Sequence, residues 1–200
     1  MATLILFNKP FGVLSQFRTD EGNDYDTLAS YFRDKSLRVA GRLDATSEGL
    51  LLLTDNGKLN EFLTTPTPHT KDPAFGKTYW VQVAGMATDE QIARLASGVE
   101  LKDGKTLPAV VRRLTVAETE SLWQSPDAIA KRKVTDWLAI TLFEGKNRQI
   151  RRMTDKVGLP CLRLVRVASH GYTVQGIGVG EFVRVAVSDK KLAEFLASRP

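Results

Sequence analysis

The side chains best suited to chemistry stand in a short polar loop at residues 41–48, where Asp44 follows Arg42 by two positions. A carboxylate in a loop can serve as a general base or as a nucleophile. An isolated loop aspartate is also a common turn former or helix cap. Taken by itself, Asp44 therefore has two interpretations, and its wider surroundings must decide between them.

A second segment with chemical potential, residues 144–166, carries seven basic residues against two acidic ones. The chain of 200 residues has a net charge of +5, so this segment holds the entire imbalance. Clustered positive charge is typical of a protein with a polyanionic partner, nucleic acid above all, although a solvated helix face is the plain alternative. The basic residues of the segment are Lys146, Arg148, Arg151, Arg152, Lys156, Arg163 and Arg166.

Within this segment, residues 147–157 have the spacing of a short amphipathic helix that ends at Gly158. Positions i, i+3, i+4 and i+7 predict one buried stripe, formed by Ile150, Met153, Thr154 and Val157. Surface helices usually interleave acids with bases, but here only Asp155 relieves the repulsion. We therefore predict that the opposite face binds phosphates through Arg148, Arg151, Arg152 and Lys156.

Residue counts exclude several other kinds of site. Cys161 is the one cysteine, and the two histidines are His69 and His170, so neither an intramolecular disulfide nor a tetrahedral zinc site is possible. No apolar run is long enough to span a bilayer, and the N-terminus lacks the features of a signal peptide. We expect a cytoplasmic protein without a membrane partner and without a metal.

The elements that must position these side chains follow from periodicity and turn signals. Helices are predicted at 27–34, 58–64, 89–97, 147–157 and after Ser188, with a capping box of Thr88 and Gln91 at the third. Strands are predicted at 3–8, 37–40, 49–54, 77–84, 108–116, 134–143, 162–167, 172–174 and 181–187, and residues 117–133 remain unassigned. Because strands outnumber helices and often follow one another, we predict an α+β fold with a largely antiparallel sheet.

The wider string around Asp44, GRLDATSEGLLLLTDNG at 41–57, closely resembles the active-site signature of pseudouridine synthases, in the branch that modifies ribosomal RNA. Three further segments match in the order of that family: FNKPFGV at 7–13, KTY at 77–79, and EGKNRQIRRM at 144–153 ahead of LVR at 164–166. The resemblance covers essentially the whole chain. It favours a catalytic role for Asp44.

The resemblance implies a pseudouridine synthase fold, with a mixed sheet, flanking helices and a central basic cleft. It further implies a single catalytic domain over residues 1–200, in two subdomains beside the cleft. Many members carry an N-terminal S4 RNA-binding module, and we expect none here because the matching segments begin at residue 7. His170 stands where relatives often have glycine, which makes the local turn a point to check.

The implied activity is that of an isomerase that converts a uridine of ribosomal RNA, in the large subunit, to pseudouridine. The reaction involves no redox change and no external group, so the resemblance implies no cofactor. It makes Asp44 the essential carboxylate, either as nucleophile or as base at C2′. Burial disfavours an ionised carboxylate, and the family position of its cationic partner is Arg151.

Other roles are carried over by position. Tyr79 is expected to stack on the flipped uracil, Arg42 to fill the vacated space or hold a phosphate, and Leu164 to close the apolar side of the pocket. Further RNA contacts are expected from Lys77, Lys146, Arg148, Arg152, Lys156 and Arg166. The expected partner is ribosomal RNA or a ribosomal precursor particle, bound by a monomer.

Two other classes of function remain as alternatives. A non-catalytic RNA-binding or ribosome-assembly protein would use the same basic helix but would need no lone carboxylate in a cleft. A DNA-binding regulator is disfavoured because no helix-turn-helix pairing precedes the basic helix. Substitution of Asp44 separates the first two classes, since only an enzyme loses chemistry while it keeps RNA binding.

Overall fold

The computed structural model describes residues 1–19, 22, 24–67, 69–129 and 131–197. Its helices are α1 Gly57–Thr64, α2 Asp89–Ser97, α3 Val116–Glu120, α4 Gln149–Lys156 and α5 Asp189–Ala197, with 3-10 turns at Leu28–Ser30 and Pro73–Phe75. Its strands are β1 Ala2–Lys9, β2 Val13–Leu14, β3 Asp26–Thr27, β4 Arg38–Ala40, β5 Glu48–Thr54, β6 Lys77–Ala84, β7 Glu100–Leu101, β8 Gly104–Lys105, β9 Val110–Arg113, β10 Thr135–Leu142, β11 Cys161–Ser169, β12 Tyr172–Thr173 and β13 Phe182–Val187.

Within the described residues, nine strands form one sheet whose main path runs β13-β1-β5-β11-β6-β10-β9, with β4 paired to β5 and β12 paired to β11. All of these pairs are antiparallel except that of β5 and β11. Short ribbons, β2–β3 and β7–β8, lie off the sheet. The predicted α+β class with a largely antiparallel sheet is confirmed.

The parallel contact between β5 and β11 brings the loop before β5 against the middle of the sheet. Val165 pairs with Glu48 and Arg166 pairs with Gly49. Gly49 has φ +96°, and a Cβ there would lie 2.3 Å from the carbonyl oxygen of Arg166. Only glycine permits so close an approach of two backbones. The Asp44 loop therefore enters β5 at a point held directly against β11.

Apolar packing on both faces of the sheet supports this arrangement. One cluster joins β6 and β10 to α2 and α4, and it contains the predicted stripe of Ile150, Met153 and Val157. A second cluster packs α1 on one face of β1 and β5, and a third covers their other face. Strand β5 is buried along its whole length, from Glu48 to Thr54. Buried apolar surface is the main source of folding free energy, so the strand that follows the Asp44 loop is firmly anchored.

Two predicted elements differ from the structure. The helix expected at 27–34 is reduced to the 3-10 turn Leu28–Ser30, and the strand expected at 108–116 is only Val110–Arg113. The second difference has a clear cause, because Thr115 and Glu118 form a capping box that begins α3. The capping box of Thr88 and Gln91 starts α2 at the predicted position.

The turn at His170 keeps the conformation that a glycine would favour. His170 has φ +50° and its amide donates to the carbonyl of Gly76. Its ring is buried, with Nδ1 3.0 Å from the Ser169 hydroxyl.

Among the described helices, none is long and apolar enough to cross a membrane.

Candidate active site

The residues expected to do chemistry meet at a cleft of about 570 Å³ beside the middle of the sheet. Its walls come from the Asp44 loop, the start of β6, the turn before α4 and the middle of β11. The expected site residues on these walls are Arg42, Asp44, Lys77, Tyr79, Lys146, Arg148 and Arg166. A smaller hollow of about 70 Å³ shares Asp44 and Tyr79 with the cleft and extends to Leu164.

The loop that carries Asp44 is held by the N-terminal segment. The Lys9 ammonium is buried and donates to the carbonyls of Pro10 at 2.8 Å and Val13 at 2.7 Å, and it lies 3.5 Å from that of Ala45. The Ser15 hydroxyl donates to the carbonyl of Leu43 and accepts from its amide, at 2.8 and 3.0 Å. The backbone on both sides of Asp44 is therefore tied to residues 9–15.

Asp44 is paired with Arg148, which corrects the expectation of Arg151. Nη1 of Arg148 donates to Oδ2 of Asp44 at 3.2 Å, and the two side chains are 50% and 34% exposed. Arg148 precedes α4 with φ +45°, in the left-handed region, and its side chain makes no cap hydrogen bond. This left-handed turn places the Arg148 side chain on the wall of the cleft, beside the loop that carries Asp44.

Arg151 contacts the far end of the same loop. Its Nη2 donates to the carbonyl of Thr46 at 2.9 Å, and Nη1 lies 3.6 Å from Sγ of Cys161. Burial raises the pKa of this thiol to about 11, against the lowering fields of Arg151 and Arg148. Arg151 is thus a support for the backbone around Asp44 rather than an ion-pair partner of the carboxylate.

The outward basic face of α4 is smaller than predicted. Arg152 forms two hydrogen bonds with Asp103, at 2.7 and 3.1 Å, and holds the pKa of that carboxyl below its ordinary value. The Lys146 ammonium donates to the carbonyls of Asp103, Gly104 and Lys105. Arg152 thus connects the β7–β8 ribbon to α4, and Lys146 connects it to the turn before α4. Of the residues predicted to bind phosphate on this helix, Lys156 is exposed and has no partner among the described residues.

Arg166 and Lys77 are buried in the cleft wall instead of lying on an open surface. Arg166 is 1% exposed, and it donates to the carbonyl of Leu50 at 2.6 Å and to that of Gly41 at 2.9 Å. Lys77 is 7% exposed. Burial, assisted by the nearby charge of Arg166, lowers the pKa of Lys77 to about 8.

The residues expected around the base occupy suitable places. Tyr79 is half-buried and lines both the cleft and the hollow. Arg42 is exposed on the cleft wall, and Leu164 is buried beneath the hollow. An aromatic ring on one side and an apolar floor on the other suit a planar heterocycle, because stacking does not require a particular base.

Sequence reasoning missed one buried charge cluster next to the site. Arg163 forms two hydrogen bonds with Glu48, at 2.9 and 3.0 Å, and Trp123 Nε1 donates to the same carboxylate at 2.7 Å. The cluster connects Trp123, which lies in the stretch without a predicted element, to strands β5 and β11 of the sheet. The signal available in the sequence was Glu48 beside an otherwise apolar strand, since a buried carboxylate needs a partner.

No group of three or more histidine, cysteine, aspartate or glutamate side chains in the described ranges is placed to hold a metal ion. Among the described residues, the cleft is lined by one carboxylate, that of Asp44, with several cations and a tyrosine, while Glu144 lines only the smaller hollow, where its carboxylate accepts a hydrogen bond from Gln149. This set can bind a polyanion, receive a planar base and present Asp44 to it.

Comparison with known proteins defines the class. A family model described as RNA pseudouridylate synthase matches residues 3–156. The chain also resembles a solved structure described as a pseudouridylate synthase with a TM-score of 0.72 and 23% identity, over 98% of this chain and 74% of that one. The chain belongs to the RNA pseudouridylate synthase family.

Particular relatives narrow the comparison. The chain is 46% identical over 186 residues to ribosomal large subunit pseudouridine synthase E of Vibrio vulnificus, covering 92% of this chain and 75% of the relative. It is 48% identical over 181 residues to the protein of the same name from Xanthomonas campestris, covering 90% and 93%. A relative named ribosomal large subunit pseudouridine synthase B, from Bacillus subtilis, is 30% identical over 194 residues, covering 96% and 71%. The predicted membership of the branch that modifies ribosomal RNA is confirmed.

Proposed function

We propose that this protein converts a specific uridine of large-subunit ribosomal RNA to pseudouridine, with Asp44 as the essential carboxylate. Family membership and the names of its relatives support the reaction and the RNA class. The observation that carries the role of Asp44 is its place in the cleft, fixed on both sides by backbone contacts and paired with Arg148 at 3.2 Å.

In this isomerisation the N1–C1′ bond of uridine breaks, the uracil turns, and C1′ rejoins the ring at C5. The proton on C5 is lost and N1 gains one, so atoms balance without an oxidant or an acceptor. Asp44 acts at the sugar or the base as nucleophile, or at C2′ as base. Arg148 orients the carboxylate with a charge-assisted hydrogen bond, and Arg151 holds the carbonyl of Thr46 two residues further on.

A uridine stacked in RNA cannot reach Asp44, so the nucleotide must be flipped into the cleft at a cost of a few kcal/mol. Tyr79 supplies a ring on which the uracil stacks, and Leu164 closes the apolar side. Arg42 is exposed at the rim, where it can enter the space left by the base or bind a phosphate. The bound RNA itself covers Asp44, whose side chain is partly open to solvent in the free protein.

The test is the Asp44→Asn variant, because an amide has nearly the same shape but cannot act as base or nucleophile. We expect no release of tritium from RNA labelled at uridine C5, with RNA affinity within about threefold of wild type because phosphate contacts dominate binding. Asp155→Asn, an exposed position on α4, is the control of equal charge change. Turnover by Asp44→Asn above a few per cent of wild type contradicts the proposal.

A non-catalytic RNA-binding protein is the second candidate, and the tritium assay decides against it if the wild-type protein turns over. The particular uridine is found by mapping pseudouridine in ribosomal RNA from cells that lack the protein.

We propose a monomeric enzyme that works in the cytoplasm, where bacterial ribosomes are assembled. One sheet runs through both sides of the cleft, which supports a single catalytic domain.

A further inference from the structure

Lys77 is a buried cation without an anion. It is 7% exposed on the cleft wall, and its ammonium has no hydrogen-bond acceptor among the described residues. Lysine is almost never so deeply buried unless it is paired, because removal of an ammonium from water is costly. The low pKa of about 8 for Lys77 has burial as its main cause and reflects the same cost.

A second cation converges on the same place. Arg166 uses Nε and Nη2 to bind carbonyls of Leu50 and Gly41, and its Nη1 has no partner in the part of the chain that the structure describes. A Cβ built on Gly41, which has φ +82°, would lie 3.7 Å from Nη1 of Arg166 and 3.8 Å from Cε of Lys77. The missing side chain of Gly41 thus leaves open space between the two cations.

The protein does not balance this charge. Asp44 is the one carboxylate among the described residues that line the cleft, and Arg148 binds it. Glu48 is bound by Arg163. His170 stays neutral, since burial, with the charges of Lys77 and Arg166, lowers its pKa to about 3. The free protein therefore holds two unneutralised cations on the wall of the cleft, where an anion is attracted more strongly than to a single charge in bulk water.

We propose that Lys77, Nη1 of Arg166 and the open side of Gly41 form a subsite that binds one phosphodiester of the RNA at the target nucleotide. The inference rests on the proposed function. Phosphate oxygens accept charge-assisted hydrogen bonds from both an ammonium and a guanidinium. The subsite lies in the same cleft as Asp44 and Tyr79, so the phosphate it holds sets the register of the flipped nucleotide against the carboxylate. The outer face of α4 then contributes affinity rather than register.

The first experiment measures the acetylation rate of Lys77 in the full-length protein by pulse labelling and mass spectrometry. The probes are sodium phosphate, with sodium chloride at equal ionic strength as control, and a ribosomal RNA transcript. Phosphate at twice its Kd should slow acetylation by about threefold, and the transcript should slow it further. The exposed Lys58 on α1 is the internal reference and should keep its rate. Protection by phosphate but not by RNA would mean a site for a free anion and would overturn the proposal.

The second experiment compares Lys77→Met, which keeps volume, with Lys77→Arg, which keeps charge, both in the Asp44→Asn background so that binding is measured without turnover. Lys77→Met should flatten the salt dependence of RNA binding by roughly 0.7 in the logarithmic slope, and Lys77→Arg should restore it. Lys58→Met is the matched control and should leave the slope unchanged. The subsite is contradicted if Lys77→Met leaves the salt dependence of RNA binding unchanged and RNA does not slow the acetylation of Lys77.

The two proposals fail separately. If Asp44→Asn keeps its turnover while RNA still protects Lys77, the catalytic role of Asp44 is wrong and the subsite stands. If Asp44→Asn is inactive and RNA does not protect Lys77, the catalytic role of Asp44 stands and the subsite is wrong. The labelling experiment uses the wild-type chain, so the subsite remains testable even if Lys77→Met does not fold.

Discussion

Asp44 depends on neighbours that are distant in sequence. Its carboxylate is bound by Arg148, 104 residues away, while Arg151 binds the carbonyl of Thr46, 105 residues away. Arg148 has a left-handed backbone that costs a non-glycine residue about 1 kcal/mol. Such backbone strain is often found at functional sites, where the surrounding structure maintains it. Here it brings the guanidinium onto the carboxylate.

This pairing predicts different effects for the two arginines. Arg148→Gln should lower kcat by about a hundredfold, because the carboxylate loses the group that orients it. Arg148→Lys should recover part of the loss, since the charge returns without the forked geometry. Arg151→Gln should cost less, because Lys9 and Ser15 still hold the loop. Single-turnover kinetics on one transcript measures all three. If Arg148→Gln kept the wild-type kcat while Arg151→Gln was inactive, Arg151 and not Arg148 would be the functional partner of Asp44, as the family resemblance implies.

At the scale of elements, α4 links the cleft to the β7–β8 ribbon. Its buried stripe packs on β6 and β10, while Arg152 binds Asp103 in the turn of the ribbon. A helix face that looks uniformly basic in sequence is therefore partly neutralised in the fold. The positive charge that remains for RNA lies at Lys156, the last residue of α4, and at Arg148, which precedes the helix and lines the cleft.

The salt dependence of RNA binding should follow this division. Lys156→Gln should lower the logarithmic slope by roughly 0.7, whereas Arg152→Gln should leave it almost unchanged because Arg152 is already paired. Asp103→Asn is the informative counterpart, since it frees Arg152 and should steepen the slope. Affinity measured at several salt concentrations distinguishes these results. If Arg152→Gln lowered the slope by the full value of roughly 0.7, Arg152 would have to leave Asp103 and contact a phosphate when RNA binds.

The ion pair between β5 and β11 is expected to matter for stability. Arg163 and Glu48 have side chains only 4% and 2% exposed. Glu48→Gln leaves the guanidinium buried without its counter-charge, which should lower the free energy of unfolding by about 3–5 kcal/mol. Asp103→Asn breaks a far more exposed pair, which solvent screens, and should lower the free energy of unfolding much less. Urea unfolding of both variants gives the comparison, and equal losses would contradict it.

For the whole molecule, the unusual feature is an excess of buried positive charge. Among the described residues, Lys9, Lys77, Arg163 and Arg166 are buried cations, and Glu48 is the one buried carboxylate. Burial is the main cause that lowers the pKa of Lys9 to about 7 and that of Lys77 to about 8. The cleft of the free protein thus attracts anions at a cost in folding free energy.

This cost predicts how stability changes with pH. An unfolded lysine has a pKa of about 10.4, so the unfolded chain holds protons that the folded protein has released above about pH 7 at Lys9 and above about pH 8 at Lys77. Unfolding then takes up protons, and stability rises with pH by at most about 1.4 kcal/mol per unit for each lysine. The buried Cys161 acts in the opposite sense above about pH 9, because its pKa is raised to about 11.

We therefore expect the free energy of unfolding to increase from pH 7 to about pH 9 in the absence of RNA. Lys9→Met removes one of the two groups and should flatten the rise, while Lys58→Met should not. Urea titrations at pH 7, 8 and 9 measure the effect. A wild-type stability that falls over this interval would show that both lysines keep their protons in the folded protein.

Much of this protein can be predicted from local sequence. The stripe of Ile150, Met153 and Val157 predicts the buried face of α4, and Thr88 with Gln91 predicts the start of α2, because both depend on contacts within a few residues. The strand at 77–84 follows from alternation alone. The string around Asp44 identifies the family and, with it, the candidate carboxylate.

Only the tertiary structure decides which cation serves which acceptor. Arg148, Arg151 and Arg152 have the same chemistry and stand within five consecutive positions, but they bind Asp44, the carbonyl of Thr46 and Asp103, respectively. The sequence likewise contains no sign that Lys77 and Arg166 face each other from neighbouring strands, buried beside Gly41. Partner choice and burial depend on ångström-scale distances between segments far apart in the chain, and the field of a charge depends on both. Residue types and spacing therefore determined the family and the amphipathic elements, whereas chain crossing at Gly49 and Gly41 decided the electrostatics of the cleft.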